Sequence, residues 1–94
     1  MYQPNSYGVP TAFSPNGDGD NDRLYVYGSQ FKEVVFRVYN RYGEMVFETN
    51  DELRGWDGKH NGFPQEKEVY TYYLKIIFAD GGLVEETGNV TLLR

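Results

Sequence analysis

The stretch "EVYTYYLKIIFAD", from Glu68 to Asp80, leaves this chain few choices. Tyr70, Tyr72, Leu74, Ile76 and Phe78 occupy every second position, and Val69, Thr71, Tyr73, Lys75 and Ile77 fill the gaps. Only an extended strand turns such alternate positions to opposite faces; a helix would scatter them around its circumference. The first set carries no charge, so it is the face expected to meet a core. "EVVFRVYNRYGE" repeats the pattern, with Val34, Phe36 and Val38 inward and Arg37 and Tyr39 outward. Arg41 to Glu44 then reads as a turn into "MVFE", which makes a hairpin.

Shorter strand candidates are Val9 to Phe13, Leu24 to Tyr27, Val84 to Thr87, and "NVTLLR" with Val90 and Leu92 inward. Asp80-Gly81-Gly82 is a hairpin turn of the kind that needs positive φ. Asn50 to Glu68 reads as one long loop, in which Trp56 serves as a core anchor. No segment shows helical spacing, and a 17% aromatic content suits pleated surfaces. About seven short strands and no helix predict an all-β fold, an antiparallel β-sandwich of immunoglobulin or fibronectin-III type. The absence of cysteine rules out the inter-sheet disulfide of antibody domains.

At 94 residues there is room for one core only. Residues 1–8, "MYQPNSYG", lack the charged start and apolar run of a signal peptide and read as an appended start or linker. Residues 9–94 are then the domain. A formal charge of −5, with Lys and Arg scattered, argues against nucleic acid as a partner. No apolar run approaches the length of a membrane-spanning helix.

Catalysis finds little support. The only histidine is His60, in a Gly-rich segment, and Ser6, Ser14 and Ser29 lie in no nucleophile-elbow context. No catalytic residue is assigned. The segment "FSPNGDGDNDRL" is a stronger chemical signal, because alternate side-chain oxygens on a tightly curled chain converge on one point, as in calcium loops. A calcium-binding frame started at Asn16 places Asp18, Asp20 and Asp22 at successive ligand positions, but Tyr27 falls where the bidentate Glu belongs. Calcium through Asn16, Asp18 and Asp22, completed from Asp51 or Asp57, therefore stands beside a loop whose Asx side chains cap their own backbone. Calcium is the one cofactor under consideration. Tyr25, Tyr27, Tyr39 and Tyr73 are expected on outward faces, where tyrosine serves either partner contact or cross-strand packing. Asn89-Val90-Thr91 matches a glycosylation acceptor but falls within an expected strand.

Five blocks occur in order: "VPTAFSPNGDGDND", "VYNRYGEMVFE", "GWDGKHNG", "VYTYYLKI" and "GNVTLLR". Together they resemble the gliding-motility-associated C-terminal domain, the type B sorting domain of the type IX secretion system in Bacteroidota. The resemblance runs from Val9 to Arg94. It implies a non-catalytic address on a large exported or cell-surface protein such as a gliding adhesin. It also implies passage through the periplasm to the type IX translocon, with an SprF-like outer-membrane protein as partner. The family often has Trp where Tyr42 stands and Gly where Glu68 stands, and it varies at Asp20. Asp20 is therefore not counted as a ligand. Tyr39, Tyr42 and Leu93 are the candidate partner contacts. The alternative is an extracellular immunoglobulin-like stalk or carbohydrate-binding sandwich.

Overall fold

A computed structural model describes residues 6–17, 19 and 22–93. Among them there is no helix, and nine strands are formed. Four are long: β4 (Phe31–Tyr39), β5 (Met45–Thr49), β8 (Val69–Phe78) and β9 (Leu83–Leu92). The others are two-residue strands: β1 (Tyr7–Gly8), β2 (Ala12–Phe13), β3 (Tyr27–Gly28), β6 (Lys59–His60) and β7 (Phe63–Pro64). One sheet has the order β2-β9-β8-β4-β5, while β1-β3 and β6-β7 are separate two-stranded pairs.

The alternation in β8 sorts as the sequence requires. Tyr70, Tyr72, Leu74, Ile76 and Phe78 are all buried, as are Val34, Phe36 and Val38 of β4 and Val90 and Leu92 of β9. A fully buried Leu, Ile, Val or Phe contributes about 1.5–3 kcal/mol through area removed from water. The core therefore lies on one face of the five-stranded sheet. Trp56, completely buried, is its centre. Its ring meets Tyr70 of β8 edge-on at 5.1 Å, Phe13 of β2 at 5.4 Å and Phe47 of β5 at 6.4 Å. The indole N–H donates to the Lys59 carbonyl at 2.8 Å, so the polar tip is satisfied. Leu24 and Trp56 exchange backbone hydrogen bonds of 2.8 and 3.0 Å, which holds the two loops together over the core.

The turn at Arg41–Glu44 and the glycine turn at Asp80–Gly82, with Gly81 at φ 93°, form as the sequence predicts. Five expectations need correction. The sheet is mixed, because β2 runs parallel to β9 with Ala12 beside Thr91 and Phe13 beside Leu92. Val9–Phe13 shrinks to β2, since Pro10 has no N–H to give a ladder. The segment Leu24–Tyr27 gives one bridge at Leu24 and a strand starting only at Tyr27.

The long loop contains a hairpin instead: β6 and β7 pair around Asn61 (φ 54°) and Gly62 (φ 83°), a tight turn with positive φ at both central residues. Val84–Thr87 and "NVTLLR" are one continuous strand through Gly88. Tyr72 sits directly across from Gly88. An ideal Cβ on Gly88 would lie 2.6 Å from the Tyr72 hydroxyl, so the phenol ring takes the place a side chain would occupy.

Candidate functional site

The sequence singled out two places, the Asx-rich loop and the turn between β4 and β5. In the loop, Asp22 folds back on the chain. Its Oδ1 accepts the Gly17 N–H at 2.9 Å and its Oδ2 the Gly19 N–H at 2.8 Å. Both glycines have positive φ, 82° and 88°, which lets their N–H groups turn toward one carboxylate. The Asn16 N–H is bonded to the Ser14 carbonyl. Asp18, the middle member of the proposed ligand set, lies outside the described residues, as do Asp20 and Asn21.

The two carboxylates expected to complete a calcium site cap their own turns. Asp51 accepts from the Leu53 N–H and Asp57 from the Lys59 N–H. No group of three or more Asp, Glu, His or Cys is placed to hold a metal ion among the described residues. The loop docks through Pro15, whose ring lies so close to Gly58 that a Cβ there would come within 3.0 Å. Gly58 also has φ 81°, so the "WDG" turn is suited to glycine on both counts.

The β4–β5 turn is organised by Asn40. Its Oδ1 accepts the N–H groups of Tyr42 and Glu44, and its Nδ2 donates to the Glu44 carboxylate at 3.0 Å. Gly43, at φ 80°, closes the turn with an N–H bonded to the Asn40 carbonyl. The result is a rigid platform that lifts Tyr42 into solvent, 78% exposed. The Arg41 guanidinium lies 5.0 Å from the Tyr42 ring centre and donates to its hydroxyl at 3.0 Å. On its other side it faces Glu68 at 3.4 Å, an ion pair without hydrogen-bond geometry that leaves one Glu68 oxygen out of water and otherwise unpartnered.

Glu68 connects this turn to the last strand, because its carbonyl accepts the Leu92 N–H at 3.0 Å. Tyr39 is half-buried between Met45 and Thr71, and Leu93 is 46% exposed with its N–H bonded to the Phe13 carbonyl. Tyr42 and Leu93 are thus linked through Arg41, Glu68 and Leu92 at one end of the sheet. Asn40 was not singled out by sequence reasoning. An Asx residue two and four positions before the N–H groups it caps was the available signal.

Three tyrosines report a carboxylate neighbour. Glu86 of β9 accepts from both the Tyr7 hydroxyl of β1, at 2.8 Å, and the Tyr72 hydroxyl of β8, at 2.9 Å. Burial, then the hydrogen bond to Glu86, pushes the Tyr72 phenol up to about 12. The same carboxylate raises Tyr7, mainly through the hydrogen bond. On the outer face Tyr73 donates to Glu85 at 2.9 Å, which raises its pKa as well. A cleft of about 370 Å³ is lined by Arg23, Glu48, Arg54, Asp57, Lys59 and His60 among others. His60 has no serine among the cleft-lining residues. Asn89, in the acceptor motif, is exposed on β9.

Comparison with known families decides between the readings. Residues 7–92 match the CHU_C type IX secretion signal domain. The chain belongs to that family. The signal domain thus carries a sorting signal for type IX secretion, which implies interaction with that secretion system and export toward the cell surface or beyond. The matched span opens on the first residue of β1 and closes on the last residue of β9. No curated protein matches the signal domain. Among the described residues no helix is long and apolar enough to cross a membrane.

Proposed function

We propose that this domain is a folded, non-catalytic address at the C-terminal end of a large exported protein, such as a gliding adhesin of Bacteroidota. The cargo would reach the periplasm and be handed to the translocon through an SprF-like outer-membrane protein. One observation carries this reading: the family match spans the whole folded unit, from Tyr7 to Leu92. A recognition signal of that extent is borne by a folded surface rather than by a detachable tail. The family match does not favour the stalk or carbohydrate-binding alternative.

The proposed architecture is an immunoglobulin-like sandwich, with β1, β3 and the Leu24–Trp56 bridge as the layer facing the five-stranded sheet. The proposed domain runs from residue 9 to 94, with β1 (Tyr7–Gly8) at the end of the lead-in 1–8 paired onto it through β3. Tyr39, Tyr42 and Leu93 are the proposed contacts for the outer-membrane partner, supported by the exposure of Tyr42 and Leu93 at one end of the sheet. For Asn16, Asp18 and Asp22 the proposed role is structural. Asp22 spends both oxygens on Gly17 and Gly19, which supports a self-capped loop that needs no calcium.

The test is fusion of the chain to a reporter carrying a Sec signal in a type IX-competent cell. Reporter at the surface or in the medium is expected. Reporter held in the periplasm while the domain is folded would refute the sorting role.

A further inference from the structure

The parity of β9 leaves one edge of the main sheet open. The Phe78 N–H is bonded to the Gly82 carbonyl, and the Leu92 N–H to the Glu68 carbonyl. Even-numbered residues of β9 therefore direct their backbone groups toward β8. The pairing with β8 runs from Leu83 to Thr91 without a register shift. Odd-numbered residues face the other way, and at the far end they are used: the Thr91 N–H is bonded to Thr11 and the Leu93 N–H to Phe13. β2 covers only that end. Upstream of it, Leu83, Glu85, Thr87 and Asn89 point N–H and C=O groups outward, and no other strand pairs with them among the described residues. Their side chains are exposed as well.

An unpaired edge invites another strand; folded proteins blunt such edges with proline, a bulge or charged side chains, and here only Glu85 and the inward Glu86 supply charge. The segment Leu83–Asn89 contains no proline and no lysine, and its ladder contains no bulge. Its seven residues span about 23 Å, enough for a full-length added strand. Gly88, which would ordinarily weaken a strand, is braced by the Tyr72 ring.

We propose that the Leu83–Asn89 edge of β9 is a docking strand for an extended segment of the secretion machinery, joined by main-chain hydrogen bonds as an added strand. The occupant carries Lys or Arg at the position beside Glu85, whose side chain lies on the exposed face, whereas Glu86 already binds the Tyr7 and Tyr72 hydroxyls. The edge segment bears Glu85 and Glu86 and no cation of its own; Lys75, across from Glu85, belongs to β8 on the closed side. A second copy of this chain is disfavoured, because it would bring the same two glutamates and a further net charge of −5 to the contact. The proposal rests on the sorting role above and names the surface through which it acts.

Proline tests it directly, because Thr87 and Asn89 direct their N–H groups away from β8. Thr87→Pro or Asn89→Pro removes a donor that the sheet does not use and obstructs the edge with a ring. Each variant, as the full chain fused to the reporter, is compared with the parent in a type IX-competent cell, with folding checked by circular dichroism and melting. The parent is expected to be exported, and each folded proline variant to be exported at least tenfold less. Glu85→Lys, a surface change, is expected to reduce export too.

Amide exchange of the unmodified domain with purified translocon is expected to slow at Leu83, Glu85, Thr87 and Asn89. Unchanged exchange there, or normal export of a folded proline variant, overturns the proposal. Dimers of the parent that the proline variants abolish would assign the edge to a second copy and overturn it as well. A parent that is not exported at all would instead refute the sorting role, so the two failures are distinguishable.

Discussion

Glu86 is the residue through which three strands are tied. It lies on the inward-facing parity of β9 and accepts hydrogen bonds from hydroxyls of β1 and β8, so a single carboxylate binds two sheets. This contact is sensitive to alkaline pH. An unfolded tyrosine loses its proton near pH 10, whereas the folded Tyr72 keeps it to about 12. Stability from this source is complete below pH 10 and is lost as pH rises through the window to 12. Melting temperatures taken from pH 9 to 12 should fall across that range. Tyr72→Phe should flatten the fall without abolishing it, because Tyr7 is shifted by the same carboxylate. A second residue-scale prediction concerns Asp22. Asp22→Ala frees two N–H groups on a loop surface, an expected cost of about 1 kcal/mol. Melts in EDTA and in millimolar calcium should coincide for the parent. A calcium-dependent rise that Asp22→Ala removes would show the loop to be a metal site.

Among the elements, β4, β5 and β8 were readable and the two-residue strands were not, for a physical reason. β4 and β8 bury one face, so their alternation is written into every second residue. A two-residue strand has no period to display. β2 is a strand because of its neighbour β9, and nothing near Ala12 announces a parallel partner about eighty residues away. β6 and β7 are different: Asn61-Gly62 is a recognised hairpin signal, and it was overlooked because the flanking residues Lys59, His60, Phe63 and Pro64 do not alternate in polarity.

The candidate contacts show the same division, since the exposure of Tyr42 follows from turn chemistry set by Asn40 while the link to Leu93 depends on tertiary pairing. Gly88 joins Val84–Thr87 and "NVTLLR" into one strand, although a glycine within a strand weakens it. Its true role gives an element-scale prediction. Gly88→Val places carbon where the Tyr72 phenol lies, forcing the ring away and breaking its bond to Glu86. The expected cost is about 1–3 kcal/mol, read as an earlier urea midpoint with an unchanged slope.

The whole molecule is assembled so that β2 and β9, about eighty residues apart, meet. Phe13 and Leu92, both buried against the same core, are neighbours across the parallel β2–β9 pair. Trp56 then joins β2, β5 and β8 through ring contacts. The fold is therefore closed where β2 meets β9, and the family match over residues 7–92 encloses this closure. That arrangement has a mechanical consequence. Once β1 has parted from β3, tension pulling β2 backward and β9 forward acts along one common direction. Their hydrogen bonds, Thr91 to Thr11 and Leu93 to Phe13, are loaded together in shear instead of opening one after another. Thr91→Pro deletes the first of them, and in an optical trap it should lower the rupture force while leaving the β8–β9 ladder in place. A domain dragged by one end behind or ahead of a heavy cargo would thus hold its shape under load, gripped by a two-residue sheet contact.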